Sequence, residues 1–185
     1  MIKHTVWALA LGMLLFFLYV AMYTGAFKPV SVGLDDRGPY SLIFKNHNGP
    51  YNEIIKPLET VEAWAKNNKI DCRFTFAEFF DNPTLVEEGR LRSRTGCLLE
   101  LKNESEIEKI KKVILPEEFK IEEFKKTKSV VAIFSGSPGI GPYKVYPQAE
   151  DFIQKNNLKT KGSVIEIYEI FGPKEMTTTF LWPVL

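Results

Sequence analysis

The stretch 40-YSLIFKNHNGPY-51 has a counterpart in 128-KSVVAIFSGSPGIGPY-143. Each is an apolar, strand-like run that leads into the same tripeptide, Gly-Pro-Tyr. The landmarks that follow recur as well, at spacings of 89 or 90 residues: Pro57 and Pro147, Asn67-Asn68 and Asn156-Asn157, and Pro83 and Pro173. A shared spacing across separate landmarks predicts a two-copy internal repeat with small insertions.

Each copy has the pattern of a β-α-β-β unit. A strand ends at the Gly-Pro-Tyr turn, an amphipathic helix follows, and two further runs alternate as strands do. In copy one the helix has Pro57 at its first position, where a missing N–H costs nothing. The pairing of two copies predicts an α+β fold with a pseudo-two-fold axis. It also predicts equivalent strand-to-helix corners for Tyr51 and Tyr143.

These patterns divide the chain into an N-terminal segment and one domain over residues 27–185. The domain consists of repeat one at about 40–102, a linker at about 103–127 and repeat two at about 128–185. A helix is predicted in the linker from Asn103 to Pro116, and extra strands are predicted at 29–33 and 119–124. With 45% hydrophobic and 25% charged residues, the composition is that of an ordinary globular protein.

Residues 1–26 form a candidate membrane anchor. No charge occurs from Val6 to Tyr23, a run of 18 residues that is long enough to span a bilayer. Trp7 and Tyr19 lie near its ends, where aromatic rings favour the interface. A cleaved signal peptide is the alternative, although the run exceeds the usual signal core and no clear cleavage site follows. The short basic N-terminal tail favours a domain outside the cytoplasm if the source is bacterial.

Cys72 and Cys97 are predicted to be free thiols. If their strands pair as a hairpin around Asp81-Asn82-Pro83, Cys72 faces residues 100–102 rather than Cys97. An offset of three residues along a strand is about 10 Å, which is beyond the reach of a disulfide.

No metal, cofactor or nucleic-acid site is predicted. The two histidines, His4 and His47, are far apart and have no cysteine or carboxylate at ligand spacing. The glycine-rich run 135–141 is not followed by the Gly-Lys-Ser/Thr of a phosphate-binding loop. A net charge of +1 provides no strongly basic surface for nucleic acid.

Several motifs, taken in order, resemble the GyrI-like effector-binding domain family. They are the Gly-Pro-Tyr after a first strand, the turn Phe80-Asp81-Asn82-Pro83, the strand from Gly162 to Tyr168 and the closing Trp182-Pro183-Val184. The resemblance covers about residues 30–184. It implies two β-α-β-β units (an SHS2-type fold) around a central cleft that binds small, often cationic and aromatic, molecules. With its anchor, the chain is similar in layout to the animal ER-phagy receptor with a membrane-tethered GyrI-like domain, and residues 1–185 contain no counterpart of that receptor's long acidic tail.

The resemblance implies that Glu166 is the carboxylate that meets a cationic ligand. Strand alternation places Glu166 and Tyr168 on one face and Glu169 on the other. A carboxylate beside a tyrosine in an apolar cleft suits an aromatic cation through charge pairing and cation–π contact. The alternative is a half-exposed sheet glutamate paired with a lysine. Glu78, which aligns with Glu169 across the repeat, is predicted to be a surface residue.

Four further aromatic residues are candidates to line the cleft: Tyr51, Tyr143, Trp64 and Trp182. For each the alternative is a packing role, because aromatic side chains are chiefly core material.

Three functions stay open at this point. The first is a membrane-tethered module that binds a small hydrophobic or cationic molecule, with the membrane contacted through residues 6–23. The second is an adaptor that presents the domain to a protein partner. The third, implied by the resemblance, is a hydrolase of reactive cyclopropane-containing compounds that uses Glu166 and Tyr168. A non-enzymatic role is favoured over an enzymatic one, because the sequence identifies no partner for either residue.

Overall fold

The computed structural model describes residues 2–100, 108, 110, 112–172 and 175–185. In chain order the elements are α1 (Ile2–Thr24), β1 (Ser31–Arg37), β2 (Tyr40–Asn48), α2 (Ile55–Asn67), β3 (Phe74–Phe79), β4 (Arg92–Leu99), β5 (Phe119–Phe124), β6 (Thr127–Ser135), α3 (Gly141–Lys155), β7 (Val164–Gly172) and β8 (Glu175–Pro183). The helix predicted after Asn103 lies largely outside the described residues.

One antiparallel sheet of eight strands organises the chain, in the order β1-β6-β8-β7-β3-β4-β2-β5. The predicted α+β class is confirmed, and the order β-α-β-β occurs twice, as β2-α2-β3-β4 and β6-α3-β7-β8. The two units meet at the centre, where β3 pairs with β7. The extra strands predicted before each unit exist, but β1 pairs with β6 and β5 with β2. Each unit therefore receives its edge strand from the segment that precedes the other unit.

The two repeat helices end alike and begin differently. Each ends in a residue with positive φ, Lys69 at 57° and Asn157 at 51°, which closes the helix with a backbone hydrogen bond. At its start, α2 follows a short 3-10 turn and has Pro57 as its third residue, whereas α3 starts at Gly141 and carries Pro147 in its interior. The predicted first position for Pro57 is therefore wrong by two residues.

The sheet has two apolar faces that strand alternation separates. On the helix-bearing face, α2 and α3 each cover a cluster built on their own unit's strands: Ile43, Val61, Ala65, Cys97, Leu99, Ile110 and Phe119 for α2, and Val130, Ala132, Phe134, Val145, Ala149, Phe180 and Trp182 for α3. On the opposite face a third cluster runs across both units: Leu42, Phe44, Phe76, Leu98, Val131, Ile165, Ile167 and Leu181. Because helices cover only the outer strands of the first face, its central strands β7 and β3 lie between α2 and α3.

Cys72 and Cys97 form a disulfide, so the prediction of two free thiols is wrong. The predicted strand register is sound, since Thr75 is the residue opposite Cys97. The error lies in extending the strand, because β3 begins only at Phe74 and Cys72 belongs to the preceding coil. Because strand pairing does not hold Cys72, its Cα lies 5.2 Å from the Cα of Cys97, which is a normal separation for a disulfide.

Candidate functional site

The site centres on Glu166, in the middle of the sheet. Register places Glu166 between Phe180 on β8 and Ala77 on β3, so it belongs to the helix-bearing face. Tyr168, two residues on, lies between Thr178 and Thr75 on the same face. These positions lie on the central strands of that face, and we call the part of the face between α2 and α3 the groove.

Glu166 is buried and is held by two tyrosine hydroxyls. Only 5% of its surface is exposed. Tyr168 donates a hydrogen bond of 2.8 Å to Oε2, and Tyr146 on α3 donates one of 3.0 Å to Oε1. Burial raises the pKa of Glu166, and the two hydrogen bonds oppose that rise because they favour the charged form.

The two tyrosines are fixed as proton donors. Burial is the main cause that raises the pKa of Tyr146 and of Tyr168 well above the usual tyrosine value, and the negative charge of Glu166 adds to it. Tyr51 makes a smaller contribution to the rise at Tyr146. Both phenols therefore stay protonated at neutral pH and can stabilise a negative charge on Glu166.

Glu78 provides the contrast that defines the site. It is also 5% exposed, so its predicted surface role is wrong. It lies on the opposite face, where Arg94 Nε binds its Oε2 at 2.6 Å and also stands over the ring of Phe44. Among the described residues, no Lys, Arg or His forms an ion pair with Glu166. Glu166 is thus a buried carboxylate without a cation from the described part of the chain.

Small side chains, threonines and an alanine, surround Glu166 on the groove floor. Thr75, Ala77 and Thr95 occupy the neighbouring positions of β3 and β4 and are all buried. The hydroxyls of Ser93 and Thr178 are buried and have no hydrogen-bond partner. A buried hydroxyl without a partner carries a free-energy cost, so this floor offers unused hydrogen-bonding capacity to a bound molecule.

An aromatic wall supports Tyr146 on the α3 side. The Tyr146 ring meets Trp182 edge-on at 5.6 Å and Phe180 edge-on at 6.0 Å, and Phe180 and Trp182 stack on each other. Trp182 is buried and packs against the tyrosine that binds Glu166. These contacts orient the ring of Tyr146, and with it the hydroxyl, toward Glu166.

The remaining predicted site residues lie outside this arrangement or at its margin. Tyr51 donates a hydrogen bond of 2.8 Å to the carbonyl of Asp81 and packs on Phe79 at 4.6 Å. Trp64 packs edge-on against Phe119 in the α2 cluster. Tyr143 is 83% exposed. The prediction that Tyr51 and Tyr143 occupy equivalent corners is wrong, because α3 starts at Gly141 and turns the second tyrosine outward.

Tyr146 is the residue that sequence reasoning missed. It comes three residues before Ala149 and seven before Ile153, which places it on the core stripe of its helix. That spacing could have brought it into the site, since the groove lies beside the core stripe of α3. Among the described residues, no group of three or more His, Cys, Asp or Glu side chains is placed to hold a metal ion.

No family model matches the sequence, and no curated protein matches it. Several solved structures do match this chain in fold. EcmrR in its complex with DNA has a TM-score of 0.62 and 12% identity, over 99% of this chain and 68% of EcmrR. A hydrolase from Listeria innocua has a TM-score of 0.56 and 12% identity, over 89% of this chain and 98% of the hydrolase. SAV2435 bound to tetraphenylphosphonium has a TM-score of 0.52 and 12% identity, over 84% of this chain and 94% of SAV2435.

At such identities the matches show a shared fold and leave activity open. They agree with the resemblance to GyrI-like domains that the motifs indicated. Because one neighbour is seen in a complex with DNA, the absence of a nucleic-acid partner stays a prediction for this chain. The mixed α+β fold of this chain, with its N-terminal helix and eight-stranded antiparallel sheet, matches the fold of these structures.

Proposed function

We propose that this chain binds a lipophilic, aromatic cation in the groove between α2 and α3, with Glu166 as its counter-ion. The observation that carries the proposal is the burial of Glu166 without a cationic partner among the described residues. An ionised carboxylate removed from water costs several kcal/mol unless it is paired. A delocalised cation supplies the missing charge and is itself cheap to desolvate.

The surroundings of Glu166 fit such a ligand. Tyr146 and Trp182 offer aromatic rings for cation–π contact, and their neighbours are apolar. The neighbour SAV2435 was solved with tetraphenylphosphonium, a cation of this chemical class. Since Glu166 is closed off from solvent, the entering cation has to displace a tyrosine hydroxyl. Tyr146 is the candidate, because it approaches from a helix whereas Tyr168 belongs to the same strand as Glu166.

Titration with tetraphenylphosphonium tests the proposal. Trp182 contacts Tyr146, so its fluorescence reports any displacement of that ring. We expect saturable binding by the full chain in detergent and by Glu169→Gln, and weak binding by Glu166→Gln. Glu169 is the matched control because it lies on the opposite face of the same strand, paired with Arg73. Equal binding by all three chains would overturn the proposal, and no binding by any of them would favour the adaptor function.

We further propose that α1 tethers this domain to a membrane. Within the helix from Lys3 to Thr24, a stretch of 18 residues has a mean hydropathy of 2.2, and none of that stretch is buried. The helix is long enough to cross a bilayer. The Cys72–Cys97 disulfide supports a domain on the oxidising side, because disulfides are rare in the cytosol. Membrane retention in alkaline carbonate should be lost when residues 1–26 are deleted. In intact cells the two thiols should react with a maleimide only after a reductant is added.

A hydrolase is the second candidate, favoured by the same carboxylate. With its pKa raised by burial, Glu166 is suited to accept a proton from an attacking water, and a neighbouring tyrosine can donate one to the leaving atom. The matched Listeria protein is described as a hydrolase. Incubation with a reactive cyclopropane compound, followed by mass spectrometry, decides this: a hydrolase yields a product that has gained one water, and Glu166→Gln abolishes it.

A further inference from the structure

The junction between α1 and the domain is closely packed. The helix ends at Gly25, whose φ of 78° lets the following residue, Ala26, bond back to Ala21. The Thr24 carbonyl then accepts a hydrogen bond of 2.9 Å from the backbone N–H of Ser137, in the loop between β6 and α3. At Gly136 a Cβ would lie only 2.9 Å from that same carbonyl, so the loop approaches as closely as a glycine allows.

Lys144 fastens the same junction from the first turn of α3. Its ammonium donates hydrogen bonds to the backbone carbonyls of Ala26 and Lys28 and stands over the ring of Phe134. The segment after α1 is therefore bound to the start of α3 and does not act as a free linker. The position of the domain relative to α1 is fixed by these contacts.

Exposed aromatic side chains gather around this junction. Tyr143 directly precedes Lys144 and is 83% exposed, the highest value for any described tyrosine outside α1. Phe27 is exposed beside the carbonyls that Lys144 binds, and Tyr23 stacks on Tyr19 in the last turns of α1. We call Tyr23, Phe27 and Tyr143 the junction aromatics. Nothing within the described residues buries them.

The length of α1 sets the level of the junction in a bilayer. At about 1.5 Å per residue, its 23 residues extend about 35 Å, slightly more than a hydrocarbon core of about 30 Å. A spanning α1 therefore brings Thr24 to the headgroup region. Tyrosine rings favour that region, because it accommodates both an apolar ring and a polar hydroxyl. Phe27 adds an apolar ring at the same level.

We infer that the junction aromatics, with the exposed Lys28, form a surface that rests on the lipid headgroups and orients the domain on the membrane. This inference rests on the proposed membrane tether and is independent of cation binding at Glu166. It gives the outward turn of Tyr143 a role, because the Gly-Pro-Tyr at 141–143 then meets lipid where its counterpart at 49–51 meets protein. The end of the sheet that carries loop 80–91 points away from the bilayer, since Phe79 and Ser135 lie at opposite ends of the strands.

Fluorescence quenching by lipid tests the inference on the full chain. The protein is reconstituted in phosphatidylcholine vesicles, with or without bromine near the headgroup end of the acyl chains, as parent, Tyr143→Trp, Phe27→Trp and Leu85→Trp. Leu85 is the matched control because it is 82% exposed and lies in the loop at the far end. A Trp7→Phe chain, compared with the parent, isolates the emission of Trp7 and reports whether α1 is inserted.

We expect bromine to quench Trp7 and the indoles introduced by Tyr143→Trp and Phe27→Trp to a similar fraction, and to leave that of Leu85→Trp unchanged. Quenching of Trp7, with Tyr143→Trp and Phe27→Trp behaving as Leu85→Trp does, would overturn the headgroup surface and leave the tether in place. Loss of quenching at Trp7 itself would overturn the tether and the surface together, and would leave the cation site to its own titration.

Discussion

Replacing Glu166 with Gln is expected to weaken ligand binding and, at the same pH, to strengthen the fold. The substitution removes the charge and keeps the shape, and the amide oxygen still accepts a hydrogen bond from one tyrosine. The amide nitrogen donates to the other tyrosine oxygen. Ligand binding is weakened because the cation loses its counter-ion. The folded state is stabilised because it no longer buries a carboxylate that has no cationic partner among the described residues.

The sign of the stability effect follows from the direction in which the pKa moves. Burial raises the folded pKa of Glu166, so the folded state binds the proton more tightly than the unfolded chain does. The stabilisation that this proton gives to the fold is complete below the pKa of Glu166 in the unfolded chain, about 4.3. It is lost as the pH rises through the pKa in the folded state. Above that point the parent is destabilised by about 1.4 kcal/mol for every tenfold difference in proton affinity between the folded and unfolded states. Glu166→Gln escapes this loss.

The expected loss of affinity is larger than the scatter of a titration. A charge-assisted contact is worth about 1.5 to 3 kcal/mol, so Glu166→Gln should bind tetraphenylphosphonium roughly tenfold to a hundredfold more weakly. Glu169→Gln should change affinity by less than about 0.5 kcal/mol, as a surface substitution does. Loss of the ion pair between Glu169 and the exposed Arg73 should lower the free energy of unfolding by no more than about 1 kcal/mol.

Thermal unfolding at pH 8 and at pH 4, combined with cation titration at pH 8, measures both effects on the same three chains. The melting temperature of Glu166→Gln should exceed that of the parent at pH 8 and match it at pH 4. A lower melting temperature at pH 8 would refute the idea that Glu166 is a buried charge lacking compensation. Unchanged affinity would refute its role as counter-ion.

Three further outcomes are expected. The affinity of the parent for the cation should fall about tenfold for each pH unit below the raised pKa of Glu166 and level off above it. If Glu166→Gln keeps this pH dependence, the titrating group is not Glu166. Tyr146→Phe should lower the free energy of unfolding, measured with denaturant at pH 8, by about 1 to 3 kcal/mol, because the buried carboxylate loses one hydrogen-bond donor. Tyr143→Phe, at an exposed position, should leave it unchanged, and equal effects of the two substitutions would contradict the site geometry. Reducing Cys72–Cys97, which closes a loop of 25 residues, should lower the unfolding free energy by about 3.5 kcal/mol, and a chain with both cysteines replaced by Ala should melt identically with and without reductant.

Periodicity was sufficient to predict the strands of each unit and the face of β7 that Glu166 shares with Tyr168. The alternation of β7 placed Glu166 and Tyr168 on one face, and the structure joins them by a hydrogen bond across that face. The recurring order of strand, helix and two strands predicted both units, since each pattern is local to a few residues. Local patterns cannot give the exchange of β1 and β5 between units, because that pairing depends on residues about 80 to 100 positions apart.

The errors share a physical cause, which is that burial is decided by contacts between distant segments. Tyr143 matches Tyr51 in sequence, but α3 begins two residues before Tyr143, whereas α2 begins four residues after Tyr51, and the earlier start turns Tyr143 to the surface. The register of β3 and β4, extended to Cys72, would place it too far from Cys97 for a disulfide. Cys72 lies in the coil before β3, however, where strand pairing does not fix that distance. In both cases the residue at which an element begins decides the outcome, and the ends of elements are the least predictable positions in a sequence.

The two buried glutamates show how the register itself separates a structural charge from a candidate binding charge. Glu78 has Arg94 directly across from it on β4, so the pairing of two strands supplies its counter-ion. Glu166 has Ala77 and Phe180 in the corresponding positions, and neither can pair with a charge. Packing alone would favour an apolar residue there, since exchanging a buried charge for one is often stabilising. Local rules of this kind are broken chiefly at functional sites, so the carboxylate that the fold leaves uncompensated is the one that a ligand is expected to complete.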